Sequence, residues 1–118
     1  MKKFGKKIFL MLPEKWDKLC LYASVLEQPN QELTGEMFFY YFPKGLLKKR
    51  AVNVYEVPAK FGINEKQYLA LADDLYSSIK KLREICIENN EKPWSNVTII
   101  IENQRFRVIY GYEDLCMR

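Results

Sequence analysis

The sequence runs to 118 residues, 48% hydrophobic and 29% charged, which bounds it to one domain able to bury a core and excludes a low-complexity or membrane-spanning chain. It has no histidine, so the commonest general base and metal ligand are absent, and Cys20, Cys86 and Cys116 are scattered without a CxxC, which argues against a zinc site or disulfide framework and fits a reducing cytoplasm. The net charge of +4 permits contact with nucleic acid or an acidic partner without requiring it.

The first element is a short N-terminal helix. Phe4, Ile8, Met11 and Leu12 share one face, and Pro13 stops it because the residue before a proline is pushed out of the α region. Lys2, Lys3, Lys6 and Lys7 ahead of the apolar run mimic the start of a signal peptide. The run is short, however, and Pro13-Glu14-Lys15 stands where a small-residue cleavage site belongs. A solvated helix face is the expected role of those lysines.

Trp16 to Leu26 follows as a strand, with Leu19, Leu21, Ala23 and Val25 alternating onto one face. Glu27 to Thr34, with Pro29 and Asn30, reads as a hairpin loop. Glu36 to Phe42 is the next strand. Met37, Phe39 and Tyr41 point one way and Phe38, Tyr40 and Phe42 the other, so the strand is expected to be central, with core on one side and helix cover on the other. Exposed aromatics of this kind would otherwise stack nucleic-acid bases, but no basic residue interleaves with the rings. Pro43, Gly45 and Lys48-Lys49-Arg50 form a basic turn before a third strand, Val52 to Val57, closed by Pro58.

Asn64 to Asn89 is the long amphipathic helix around which the chain is organised. Tyr68, Ala72, Leu75, Ile79, Leu82 and Cys86 recur at alternating spacings of four and three, and Leu71 and Ile85 widen the stripe. Asn64 with Gln67 is a variant capping box, acids come early and bases late, and Asn89 or Asn90 can take the left-handed conformation that ends a helix. Lys92-Pro93-Trp94 breaks the chain. Val97 to Glu102 and Arg105 to Tyr112 make a final hairpin through Asn103-Gln104, with Phe106, Val108, Tyr110 and Tyr112 matching Val97, Ile99 and Ile101, and with Arg105 and Arg107 on the opposite side. The fold class expected is α+β. An antiparallel sheet of about five strands carries the long helix across one face, and the short N-terminal helix lies at an edge.

No catalytic constellation emerges. Asp73 and Asp74 are adjacent on a helix and diverge by about 100°. Glu113-Asp114 is a weak cation motif, the glycines are isolated and form no phosphate loop, and Cys86 lies on the buried stripe. The chain is expected to be no enzyme, to need no cofactor and to hold no metal.

The order of short motifs resembles that of the YezG-type antitoxin or immunity protein family. They are Leu12-Pro13-Glu14-Lys15-Trp16, Leu21-Tyr22-Ala23, Gly35-Glu36-Met37-Phe38-Phe39-Tyr40-Tyr41, Val57-Pro58, Leu75-Tyr76, Leu82-Arg83-Glu84, Pro93-Trp94-Ser95 and Phe106 through Tyr112-Glu113-Asp114-Leu115. The resemblance covers roughly residues 8–115 and implies a single α+β domain that acts by binding. Members look like cytoplasmic immunity proteins of Gram-positive bacteria that hold the C-terminal nuclease domain of LXG and related type VII-secreted toxins. Family members continue past Tyr-Glu-Asp-Leu into a Trp-Lys-Tyr segment, whereas this sequence stops at Arg118, so the C-terminal end of the pattern is expected to be missing. The family also tends to be acidic, while this chain is net basic.

The residues expected to meet a toxin are Glu36, Tyr40, Trp94, Tyr110, Tyr112, Glu113 and Asp114. Only Glu36, Glu113 and Asp114 belong to a residue type that is seldom buried. The alternatives are a basic nucleic-acid-binding module using Lys48, Lys49, Arg50, Arg105 and Arg107, if the turn and the hairpin lie side by side, and a self-associating structural protein paired through an edge strand. The second alternative leaves a homodimer open. No membrane contact is expected, and nucleic acid is expected to bind only weakly and without sequence preference.

Overall fold

The computed structural model describes residues 2–27, 32–45, 50–103 and 105–112, with side chains from residue 6 onward. Helix α1 (Lys2–Leu10) leads into β1 (Trp16–Ser24). Two short strands follow, β2 (Leu26–Glu27) and β3 (Leu33–Thr34), then β4 (Met37–Pro43) and β5 (Val52–Asn53). A 3-10 turn (Val54–Glu56) runs into α2 (Val57–Phe61), and α3 (Glu65–Glu88) precedes the hairpin of β6 (Asn96–Glu102) and β7 (Arg105–Gly111).

The main sheet is five-stranded in the order β5-β4-β1-β6-β7, with every pairing antiparallel. β1 sits at its centre, aligning Leu21 with Phe39 on one side and with Ile99 on the other. The α+β architecture, the long helix and the short N-terminal helix thus stand as the sequence pattern predicts. β2 and β3 form a separate two-stranded ladder, Leu26 opposite Thr34. The first strand therefore ends at Ser24, two residues early. Ser24 N–H donates to the Glu36 carbonyl at 2.9 Å, its hydroxyl accepts from Glu36 N–H at 3.0 Å, and the chain then turns out of the main sheet. Gly35 lies so close here that a Cβ would run into the Ser24 carbonyl and the Tyr76 hydroxyl.

The stretch expected as a third strand departs further. Only Val52 and Asn53 pair with β4; Val54 onward is helical. The Asn53 side chain accepts a hydrogen bond from Tyr55 N–H at 2.9 Å and so caps the 3-10 turn. Pro58 starts α2 instead of ending a strand, since a proline in the first helical turn gives up an N–H that would have no partner there. Gly62, at φ +64°, closes α2 in the left-handed conformation open to glycine at low cost.

Helix α3 covers one face of the sheet. Its Asn64 cap accepts from Gln67 N–H at 3.0 Å, and Asn90, at φ 59°, supplies the left-handed residue after its end. Tyr68, Ala72, Leu75 and Ile79 are buried against Leu19, Leu21, Ala23, Phe39, Val97 and Ile99, with Leu71, Leu82 and Cys86 at the margin. Ile85, expected to widen this stripe, is instead 49% exposed, because the spacing places it beyond the flank of the helix that meets the sheet. α1 packs beside α3: Ile8 and Met11 enter the core, Lys7 Nζ pairs with Asp74 at 3.2 Å, and the Tyr68 hydroxyl donates to the Met11 carbonyl at 2.8 Å. Arg83, a charged residue on the buried stripe, donates from Nε to the Trp94 carbonyl at 2.9 Å and so ties the end of α3 to the approach to β6.

Candidate functional site

Strand alternation sends half of the sheet's side chains to the face opposite α3, where among the described residues no helix covers them. The expectation of helix cover over Phe38, Tyr40 and Phe42 is corrected here. Both segments with helical periodicity, α1 and α3, lie on the same face, which leaves the other without helix cover among the described residues.

The register places this face residue by residue. Phe38 lies opposite Tyr22, and Tyr22 opposite Thr98, which pairs with Ile109. In the next row Asn53, Tyr40, Cys20, Ile100 and Arg107 follow one another across five strands. A third row holds Phe42, Lys18, Glu102 and Arg105. Phe38 is 52% exposed, Tyr40 36% and Ile109 47%.

The aromatic rings lock one another in place. Tyr22 and Phe38 lie 6.1 Å apart between centroids, Tyr40 meets Phe42 edge-on at 6.0 Å, and Lys18 Nζ sits 5.9 Å from the Phe42 centroid. A hydrogen bond with the Cys20 side chain, the electrostatic influence of that thiol and partial burial push the Tyr40 phenol above its ordinary pKa.

Two hollows flank the centre of the face. One is lined by Phe38, Phe39, Tyr40, Ala51, Asn53 and Glu56. The other is lined by Ile100, Glu102, Asn103, Arg105 and Arg107. The first combines exposed aromatic surface with a carboxylate, and the second gathers two guanidinium groups around one carboxylate. Among the described residues no cluster of His, Cys, Asp or Glu could hold a metal ion.

The residues predicted to meet a partner divide between the two sides of the sheet. Tyr40 is on the open face, and Glu36, exposed just before β4, continues the alternation that carries Phe38 and Tyr40 there. Tyr110 pairs with Val97 and lies on the helix side, 5.6 Å from the Trp94 ring. Burial, with Cys86, Tyr112 and Glu91 nearby, pushes the Tyr110 phenol up. Tyr112 is 48% exposed, with Lys92 Nζ 5.4 Å from its ring centroid. Trp94 is 1% exposed and offers no surface to a partner; it fills the end of the core beneath the Arg83 tether. Glu113 and Asp114 lie outside the described residues, as do Lys48 and Lys49.

Arg50 precedes edge strand β5, whereas Arg105 and Arg107 sit on the opposite edge strand, β7. Four strand spacings, about 19 Å, separate those edges. Arg50 and the hairpin arginines therefore do not lie side by side, while Lys48 and Lys49 fall outside the described residues.

The model of the YezG-like immunity protein family matches residues 1–118. The chain belongs to the YezG-like immunity protein family. It is similar to an immunity protein YezG of Bacillus spizizenii, 29% identical over 114 residues, covering 96% of this chain and 66% of that protein. It is also similar to an immunity protein YezG of Bacillus subtilis, 24% identical over 112 residues, covering 94% of this chain and 70% of that one. The chain thus spans about two thirds of the length of these YezG relatives. Phe38, Glu56 and Ile109 were not singled out by sequence reasoning. The alternation of Phe38, Tyr40 and Phe42 was visible, but which face the helices would leave bare was not.

Proposed function

We propose that this chain is an immunity protein that binds and inhibits the C-terminal nuclease domain of a secreted toxin of the LXG, type VII-secreted kind, as a stoichiometric protein inhibitor acting in the cytoplasm of a Gram-positive bacterium. The observation that carries this reading is the family match along the whole chain. A binder needs an exposed, pre-organised patch and no catalytic set, and the ring-locked open sheet face answers to that need. A nuclease surface is basic because it holds phosphates, so the inhibitor has to present carboxylates there. Glu36 and Tyr40, together with Tyr110, Tyr112, Glu113 and Asp114, are the groups assigned to that contact.

The test is co-purification of the chain with the nuclease domain encoded beside its gene, followed by a DNA-degradation assay. Wild-type chain should form a one-to-one complex and protect DNA. Glu113→Lys with Asp114→Lys should weaken that complex by several kcal/mol with the fold intact, since charge reversal there turns attraction into repulsion. Full protection by the charge-reversed chain would remove residues 113 and 114 from the interface. No complex with wild type would remove the immunity reading itself.

A further inference from the structure

The open sheet face is bipolar. Its aromatic half, on β4 and β1, has Glu56 on the wall of the Phe38–Tyr40 hollow and Glu36 exposed two residues before Phe38. On that half Lys18 is already placed against the Phe42 ring, and Arg50 directly precedes Ala51 of the hollow's wall. The other half, on β6 and β7, carries Arg105 and Arg107 with Glu102. Tyr40 and Arg107 share one row, separated by three strand spacings, about 14 Å.

This pattern discriminates between ligand classes. A nucleic-acid strand carries negative charge along its whole length, so contacts with Arg105 and Arg107 would be offset by repulsion at Glu36 and Glu56. A protein surface can present a cation at one pole and an anion at the other, and such complementarity fixes register and orientation. The hollow itself suits a cation: it joins the Phe38 and Tyr40 aromatic side chains to the Glu56 carboxylate.

We propose that the toxin's nuclease domain docks on this open face and inserts a lysine or arginine of its phosphate-binding surface into the hollow formed by Phe38, Tyr40 and Glu56. The assignment rests on the immunity reading above and names the face that performs it. The inserted side chain is thereby withdrawn from DNA, which makes docking and inhibition one event. Arg105 and Arg107 set the orientation at the far pole. Because they stand on β7, the same partner borders the strand that carries Tyr110.

The experiment uses the complete chain and the nuclease domain encoded beside its gene, with affinity read by titration calorimetry and protection by DNA degradation. Tyr40→Ala with Glu56→Lys should weaken binding about thirtyfold or more, the loss expected of a central hot spot. Glu88→Lys, an equal charge change on the outer surface of α3, should leave affinity unchanged. Carboxylate footprinting of the wild-type complex provides a readout independent of the variants: Glu36 and Glu56 should be protected and Glu88 not. If the double variant binds as wild type does, or if the footprint leaves Glu56 exposed, the docking assignment fails while the immunity reading stands. If wild type captures no nuclease domain, both fail. If wild type instead holds a short single-stranded oligodeoxynucleotide tightly at high salt, and Tyr40→Ala abolishes that binding, the face belongs to nucleic acid and the assignment is overturned.

Discussion

Replacing Arg83 by methionine should destabilise the fold by about 1–2 kcal/mol. Arg83 is 9% exposed on the core-facing stripe of α3, and its Nε donates to the Trp94 carbonyl at 2.9 Å. A hydrogen bond from a charged donor contributes about 1.5–3 kcal/mol, and stripping the donor from a buried carbonyl costs about 1–3 kcal/mol. Methionine keeps most of the apolar stem in place, so the packing loss is small. Against this, removing a guanidinium from the interior relieves its desolvation, which pulls the net effect toward the lower end. For a chain of this size the change corresponds to a fall in Tm of roughly 4–8 °C. Urea unfolding followed by tryptophan fluorescence is a suitable assay, since Trp94 reports directly on the tethered segment. Lys81→Met, exposed on the same helix, is the reference and should shift stability by less than about 0.5 kcal/mol. Equal midpoints for the two variants would mean that the tether is energetically idle and that α3 is held by its apolar stripe alone.

Leu75→Ala or Ile79→Ala, each fully buried between α3 and the sheet, should cost about 2–5 kcal/mol in chemical denaturation, and a loss below about 0.5 kcal/mol for both would show that this stripe is not the core. Stability should also fall in alkali. Burial, then the hydrogen bond with Glu14, raises the Tyr41 phenol, and burial followed by the influence of Tyr55 raises Tyr68, both from an ordinary value of 10.0. Above that pH the unfolded chain releases phenolic protons that the folded chain retains. The contribution is therefore complete below pH 10 and is lost as pH rises toward the folded-state values. Tyr41→Phe should flatten the alkaline limb of a stability–pH profile relative to wild type, and an unchanged limb would assign the alkaline loss to other groups.

The elements legible from sequence alone were those with a single dominant period. Tyr68 to Ile79 kept the helical spacing long enough to define α3, and Leu19 to Val25 kept the strand spacing. Val52 to Val57 misled because valine suits strands while Pro58 can as readily start a helix as end a strand. The capping oxygen of Asn53 decided between them, and a bond spanning two residues leaves no periodic trace. Arg83 was hidden for a related reason. Its identity argued for solvent, and only the fold brings the Trp94 carbonyl to it.

The candidate site was half legible for a geometric reason. Alternation predicts that Phe38, Tyr40 and Phe42 share a face, but it is equally satisfied by rings buried under a helix and by rings left in water. What decides is the number and placement of amphipathic helices. α1 and α3 share one face and pack on each other through Lys7 and Asp74, so neither is free to cross to the other. The grouping of charges likewise depends on strand order. Arg50 and Arg105 look like parts of one basic surface along the chain, yet the order β5-β4-β1-β6-β7 sends them to opposite edges. The same order sets Arg107 in a row with Tyr40 and leaves Glu56 beside the rings, so a chain that is net basic overall still presents a local carboxylate where a basic partner would need one.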